Sequence, residues 1–148
     1  MAQTPPSESE RLQKGMSNIA QPKVAPTPAE VIYQENKLKV LRYTPTQRTI
    51  QPVPVLFVPS LINRHTILDL MEDKSLVAHM VAQGLDVYMV DWGTPGDEDR
   101  FVTFDHYVEG YLRRIVRKVR AKAGQDRPIG LIGYCMGGVF TVLYEALY

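Results

Sequence analysis

Cysteine is almost missing from this sequence: Cys135 stands alone among 148 residues. That excludes a disulfide framework within the chain and a multi-cysteine zinc or iron–sulfur centre, so no metal is expected. Net charge is nearly absent as well. Seventeen Lys and Arg face sixteen Asp and Glu, leaving a formal charge of +1, which carries no electrostatic footprint of a nucleic-acid partner. No run approaches the roughly 18 apolar residues of a transmembrane segment. Residues Met1–Gly15 are polar and proline-containing, without the apolar core of a signal peptide, and a cytoplasmic protein is expected. GxGxxG and P-loop patterns are missing, no internal repeat is found, and no cofactor is expected. Histidine is scarce: His65, His79 and His106 all precede Cys135, and the only acid after it is Glu145.

What is present divides into two parts. Residues 1–30 are rich in Pro, Ser, Gln, Glu and Lys, with prolines spaced so that no element runs far; they read as a mobile Pro-rich arm, with at most a weak helix over Ser7–Ile19. Residues 31–148 alternate apolar runs with amphipathic stretches. Lys37–Tyr43 reads as an edge strand. Val53–Val58 and Leu85–Val90 read as strands buried on both faces. Pro128–Ile132 is a further strand. Ser75–Gln83 has helical spacing and stops at Gly84. A long helix follows Thr103 or Asp105, either of which can cap it, with Tyr107, Val108, Tyr111, Leu112, Ile115, Val116 and Val119 on one face. Its basic residues read as a solvated face, as does the acidic run Asp97–Glu98–Asp99. Val139–Tyr148 reads as a last helix.

Alternation of strand and helix predicts an α/β fold with a mostly parallel sheet and right-handed crossovers. Function in such sheets gathers at the carboxyl ends of the strands. Three loops belong there: Pro59–Thr66, Asp91–Phe104 and Gly133–Gly138.

The last loop reads Gly133-Tyr134-Cys135-Met136-Gly137-Gly138, the GxSxG nucleophile elbow of the α/β-hydrolase fold with Cys in place of Ser. The spacing has a physical reason. A nucleophile on a tight strand-to-helix turn takes a strained backbone, and the residues two before and two after pass too close to carry side chains. Gly133 and Gly137 meet that need. Cys135 would stand at a helix N-terminus, which favours the thiolate. The Met136 backbone N–H is the expected oxyanion donor, and a second is expected from Leu61 or Ile62 in the preceding loop. A thiol of this kind needs a base held by an acid, in the chain order nucleophile, acid, histidine. Neither follows Cys135. His65, in the oxyanion loop, is the one histidine near the right edge of the sheet; His79 falls mid-helix, and His106 beside Asp105 reads as a helix-cap pair.

Four stretches together resemble the polyhydroxyalkanoate synthases: Pro54–Arg64 (PVLFVPSLINR), Ile67–Leu70 (ILDL), Asp86–Gly93 (DVYMVDWG) and the box Gly133–Gly138. A Cys box alone is shared with dienelactone hydrolases; its combination with SLINR and VDWG is much more specific. The resemblance implies a short-type synthase of class III or IV, an acyltransferase that moves (R)-3-hydroxyacyl groups from CoA through a thioester on Cys135 to a growing polyester. It also implies a hydroxyacyl-CoA substrate, a second synthase subunit, a homo-oligomer and association with polyester granules. The family's Asp and His would lie beyond position 148. About 100 further residues would be needed for the strands that bear them, so residues 31–148 read as the N-terminal half of a hydrolase-like domain, truncated after the elbow helix and inactive alone. Two other readings stay open: a Cys-dependent thioesterase or ester hydrolase, and a non-catalytic truncated paralogue that binds a synthase or a granule.

Overall fold

The computed structural model describes residues 24–47, 51–124 and 127–148. Most of the Pro-rich arm, with the Ser7–Ile19 helix reading, lies outside the described residues. The apolar run after Pro54 forms β3 (Val55–Val58), buried at every position, and the second run forms β6 (Val87–Asp91). These two strands pair in parallel, and β3 pairs in parallel on its other side with β7 (Gly130–Gly133). With β1 (Ala29–Glu35) and β2 (Leu38–Tyr43), the five-stranded sheet has the order β1-β2-β6-β3-β7.

Side chains alternate across this sheet and feed two cores. Leu56, Val58, Tyr88 and Val90 face one side, together with Ile115, Val116 and Val119 of α2 (Arg113–Ala123) and Phe140 of α3 (Met136–Leu147). Val55, Phe57, Val87 and Met89 face the other, where Val77 and Val81 of α1 (Leu76–Ala82) cover them. Strands buried on both faces therefore sit mid-sheet, as continuous apolar runs require. Ser75 caps α1, its side chain accepting the Ala78 N–H at 2.8 Å.

The first half of the sheet corrects the sequence reading. β2 (Leu38–Tyr43) is not an edge strand: it lies between β6 and β1 (Ala29–Glu35), antiparallel to both. β1 also claims Ala29 and Glu30 from the segment read as arm. Its apolar residues Val31, Ile32 and Tyr33 are consecutive rather than alternating, which hid it; the hairpin turn at Asn36, with φ +53°, was its legible signal. A second unforeseen element is a small hairpin of β4 (Asp69–Met71) and β5 (Lys74–Ser75). The fully buried Asp69 organises it. Its carboxylate accepts from the Thr27 N–H, the Thr27 hydroxyl and the Ser75 hydroxyl, and its carbonyl accepts from the Ala25 N–H.

Charged residues read as solvated are partly tethers. Arg114 donates two hydrogen bonds of 2.8 Å to the Glu35 carboxylate, Lys122 pairs with Glu30 at 3.2 Å, and Lys118 lies over the Tyr33 ring. This helix face holds β1. In the acidic run, Glu98 and Asp99 both pair with Lys37 beside the β1–β2 turn, and Asp99 accepts the Gly96 N–H. The long helix also opens differently. Residues His106–Leu112 form a wide π-helical stretch leading into α2, and His106 bonds through Nδ1 to the Thr103 N–H at 3.1 Å rather than pairing with Asp105.

Candidate active site at the carboxyl edge of the sheet

Parallel pairing of β6, β3 and β7 brings their carboxyl ends side by side. Backbone bonds then bind the three loops together. The Tyr134 N–H donates to Val58 O, and Trp92 Nε1–H donates to Pro59 O, each at 2.9 Å.

Cys135 lies between the end of β7 and the first residue of α3, with φ +56° and ψ −123°. A non-glycine residue in that region is strained and persists only when its surroundings impose it. Two glycines do so. A Cβ on Gly137 would come within 1.9 Å of Val58 O, and a Cβ on Gly133 within 2.4 Å of the Gly138 Cα. No side chain fits at either place, so α3 seats directly on the ends of β3 and β7. The Cys135 side chain is left exposed. In the first turn of α3 the Gly137 and Gly138 N–H groups bond back to Tyr134 O and Cys135 O, whereas the Met136 N–H has no partner within its own helix.

In the loop after β3, the Ile62 N–H donates to Ser60 Oγ at 3.1 Å, and the Ile62 side chain is 77% exposed. The Leu61 N–H makes no hydrogen bond to a described residue. Leu61 and Met136 pack against the same core cluster. Of the two amides considered for this loop, Leu61 is the one left free to donate.

His65 points elsewhere. Its Nδ1 lies 3.1 Å from Asp91 Oδ1 at the end of β6, off the line of a good hydrogen bond. The contact with His65 holds the Asp91 carboxyl below its ordinary range; burial opposes the effect, and the Gly93 N–H, donating at 3.0 Å, supports it. Both residues line a cavity of about 140 Å³ with Leu61, Asn63, Arg64 and Trp92, and Cys135 is not part of that lining. The structure thus brings Cys135, the Met136 N–H and the loop after β3 to one edge, and places His65 with Asp91 rather than with the thiol. His79 sits in the middle of α1, as the sequence reading places it. The His65–Asp91 partnership was missed in the sequence because 26 positions separate the two; only the parallel order of β3 and β6 joins them. Aromatic packing supports the edge: Trp92, Tyr107 and Phe104 each contact the buried Phe140, one turn into α3.

Among the described residues no helix is long and apolar enough to cross a membrane. Comparison with known proteins agrees with the architecture. The profile of the family described as poly-beta-hydroxybutyrate polymerase (PhaC) N-terminus matches residues 7–80, and that of the alpha/beta hydrolase fold matches residues 53–148. The poly(3-hydroxyalkanoate) polymerase subunit PhaC of Haloferax mediterranei is 47% identical over 130 residues, covering 88% of this chain and 26% of its own length. That of Allochromatium vinosum is 39% identical over 145 residues, covering 95% and 41%. The chain thus spans between about a quarter and two fifths of these relatives. A solved protein of Acinetobacter baumannii, described as a candidate lipase, superimposes with a TM-score of 0.52 at 17% identity, over all of this chain and 44% of that one; it speaks for the fold alone. With family and fold profiles meeting on one continuous sheet and its elbow, the chain belongs to the poly-beta-hydroxybutyrate polymerase family, matching its N-terminal region, on an α/β-hydrolase fold.

Proposed function

We propose that this chain carries the nucleophile and the oxyanion donors of a polyester-forming acyltransferase acting on hydroxyacyl-CoA. The observation that supports this most is the forced φ of +56° at Cys135, held by two glycines that admit no side chain. A strained, exposed thiol at a helix N-terminus is arranged for attack on an acyl carbon. Cys135 Sγ bonds to the thioester carbonyl carbon, the oxyanion accepts from the Met136 and Leu61 N–H groups, and the bond to the CoA sulfur then breaks. CoA leaves as the thiol, taking up the proton that the cysteine lost, and the acyl group stays on Cys135. Gly133 and Gly137 are positioning residues in this scheme.

Polymerisation needs a base to activate the hydroxyl of the next acyl group. Histidine and acid in the required order do not follow Cys135, and His65 is engaged with Asp91. The 148 residues alone therefore acquire an acyl group without sustained turnover. In this reading the complete activity belongs to an assembly with a second synthase subunit and a homo-oligomer, at the surface of polyester granules in the cytoplasm.

The test is incubation of the protein with 3-hydroxybutyryl-CoA, with free thiol and intact mass followed together. Release of at most one equivalent of CoA with a matching mass increase, abolished in Cys135→Ala, is expected. Continuous CoA release that Cys135→Ala abolishes would overturn the inactivity, and free hydroxy acid as the product would favour a thioesterase. No acylation at all would remove the nucleophile assignment.

A further inference from the structure

We propose that Trp92 is a positioning residue for acyl transfer: its indole N–H fixes the loop after β3 that presents the Leu61 amide, and its ring ties that loop to α3, at whose N-terminus Cys135 stands. The inference rests on the acyl-transfer reading above and adds to it a residue that acts through another group.

Pro59 is the first residue beyond β3, so its carbonyl lies outside the ladder of the sheet. Pro59 and Ser60 are both buried, and a buried carbonyl requires a donor. No backbone N–H among the described residues donates to Pro59 O. The Trp92 Nε1–H does, at 2.9 Å. The same oxygen is pressed against the elbow, 2.8 Å from where a Cβ on Gly137 would stand. An indole and the elbow backbone thus hold this carbonyl between them, two residues before Leu61.

The consequence for Leu61 follows from chain geometry. A peptide unit is planar, so rotation of the Pro59–Ser60 unit about its flanking bonds swings the amide that comes next, which is that of Leu61. On the far side of Leu61 the Ile62 N–H is bonded to Ser60 Oγ at 3.1 Å. The end of the loop meets Asp91, whose Oδ1 lies 3.1 Å from His65 Nδ1. Adjacent residues, Asp91 and Trp92, therefore hold the two ends of one loop, and Trp92 holds the end nearer Leu61.

The ring makes the second connection. It meets Tyr107 and Phe140 edge-on, with centroids 5.4 and 5.9 Å apart. Phe140 is fully buried, one turn past Met136 in α3, and Leu61, Met136 and Trp92 pack against the same core cluster. One side chain thereby sets the loop after β3 in register with the helix whose first N–H is the other donor. A phenyl ring can keep such edge contacts, but it brings no N–H to Pro59 O.

Trp92 is the only tryptophan of the chain. Biosynthetic replacement of tryptophan by benzothienylalanine, whose ring has sulfur in place of N–H, therefore alters this one group and keeps its shape. Two rates are compared with and without the replacement: acylation of Cys135 by 3-hydroxybutyryl-CoA and its alkylation by iodoacetamide. Alkylation is displacement at a saturated carbon and forms no oxyanion, so it reports on the thiol without the donors. Loss of a whole oxyanion donor slows acyl transfer by about 100- to 1,000-fold, and displacement of one should slow it by about tenfold or more. Alkylation should change by less than about twofold, and Trp92→Phe should reproduce both results. Equal acylation rates, or alkylation that changes in step with acylation, would overturn the role of Trp92. Wild-type protein that iodoacetamide alkylates but 3-hydroxybutyryl-CoA does not acylate would overturn the acyl-transfer reading itself, and the role of Trp92 with it.

Discussion

The two ends of the central sheet are built from different physics. At the β1 end the chain doubles back in a hairpin, and long charged side chains fasten it: Arg114 to Glu35, Lys122 to Glu30, Lys37 to Glu98 and Asp99. At the β7 end no ion pair is found among the described residues. Contact there is backbone against backbone, with Gly137 so close to Val58 O that a methyl group has no place. One end tolerates side-chain rearrangement in water; the other has no slack, and that rigidity is what can hold Cys135 at a positive φ. Charged tethers cost entropy and are screened, whereas steric contact is neither. A strained backbone turn belongs at the second kind of end.

The largest effect is expected where the contact is tightest. Gly137→Ala should destabilise the fold by about 3 kcal/mol or more, since either α3 or β3 has to move; denaturant unfolding measures it, and a cost below about 1 kcal/mol would show that the end has slack after all. Phe140→Ala removes the fully buried ring on which Trp92, Tyr107 and Phe104 converge. It should cost about 3–5 kcal/mol and increase the alkylation rate of Cys135 as the elbow loosens.

At the opposite end, Glu35→Gln should cost less than about 1 kcal/mol, because both partners are partly exposed and solvent screens them. Arg114 chiefly holds the Glu35 carboxyl below its ordinary value of 4.5, helped by the Tyr33 hydroxyl against the opposing effect of burial. A carboxyl lowered in the folded state contributes stability above 4.5 and loses it as pH falls through the lowered value. The difference between wild type and Glu35→Gln should therefore be full at pH 7 and vanish in acid. A difference that grew on acidification would contradict the pairing. The smallest effect is expected for Val142→Lys, within about 0.5 kcal/mol in the isolated chain, a value checked by thermal unfolding.

How far these contrasts could be read in advance differs between the ends. The elbow was legible because its constraint is local: Gly133, Cys135 and Gly137 are within five positions, and steric exclusion dictates their spacing. The buried runs at Val55–Val58 and Val87–Asp91 were legible for a similar reason, since a strand covered on both faces has no polar alternation to blur it. β1 was not, because Val31–Tyr33 breaks the two-residue period and the residues that tether it, Arg114 and Lys122, lie some 80 to 90 positions away. Asp69 was another blind spot. Its worth lies in Thr27 and Ser75 meeting it, and nothing beside it in the chain announces that. The π-helical stretch at His106–Leu112 has no sequence period of its own that differs clearly from an α-helix.

Taken alone, the order of residues determined the class of fold, the place of the buried strands and the identity of the one thiol with room to react, because each follows from short-range sterics or from hydrophobic period. Tertiary structure decided what those rules cannot reach. It turned His65 toward Asp91 instead of Cys135. It used acidic and basic runs as tethers rather than leaving them to water. Both depend on which distant segments the sheet places side by side, and pairings across tens of residues are set by the packing of the whole sheet.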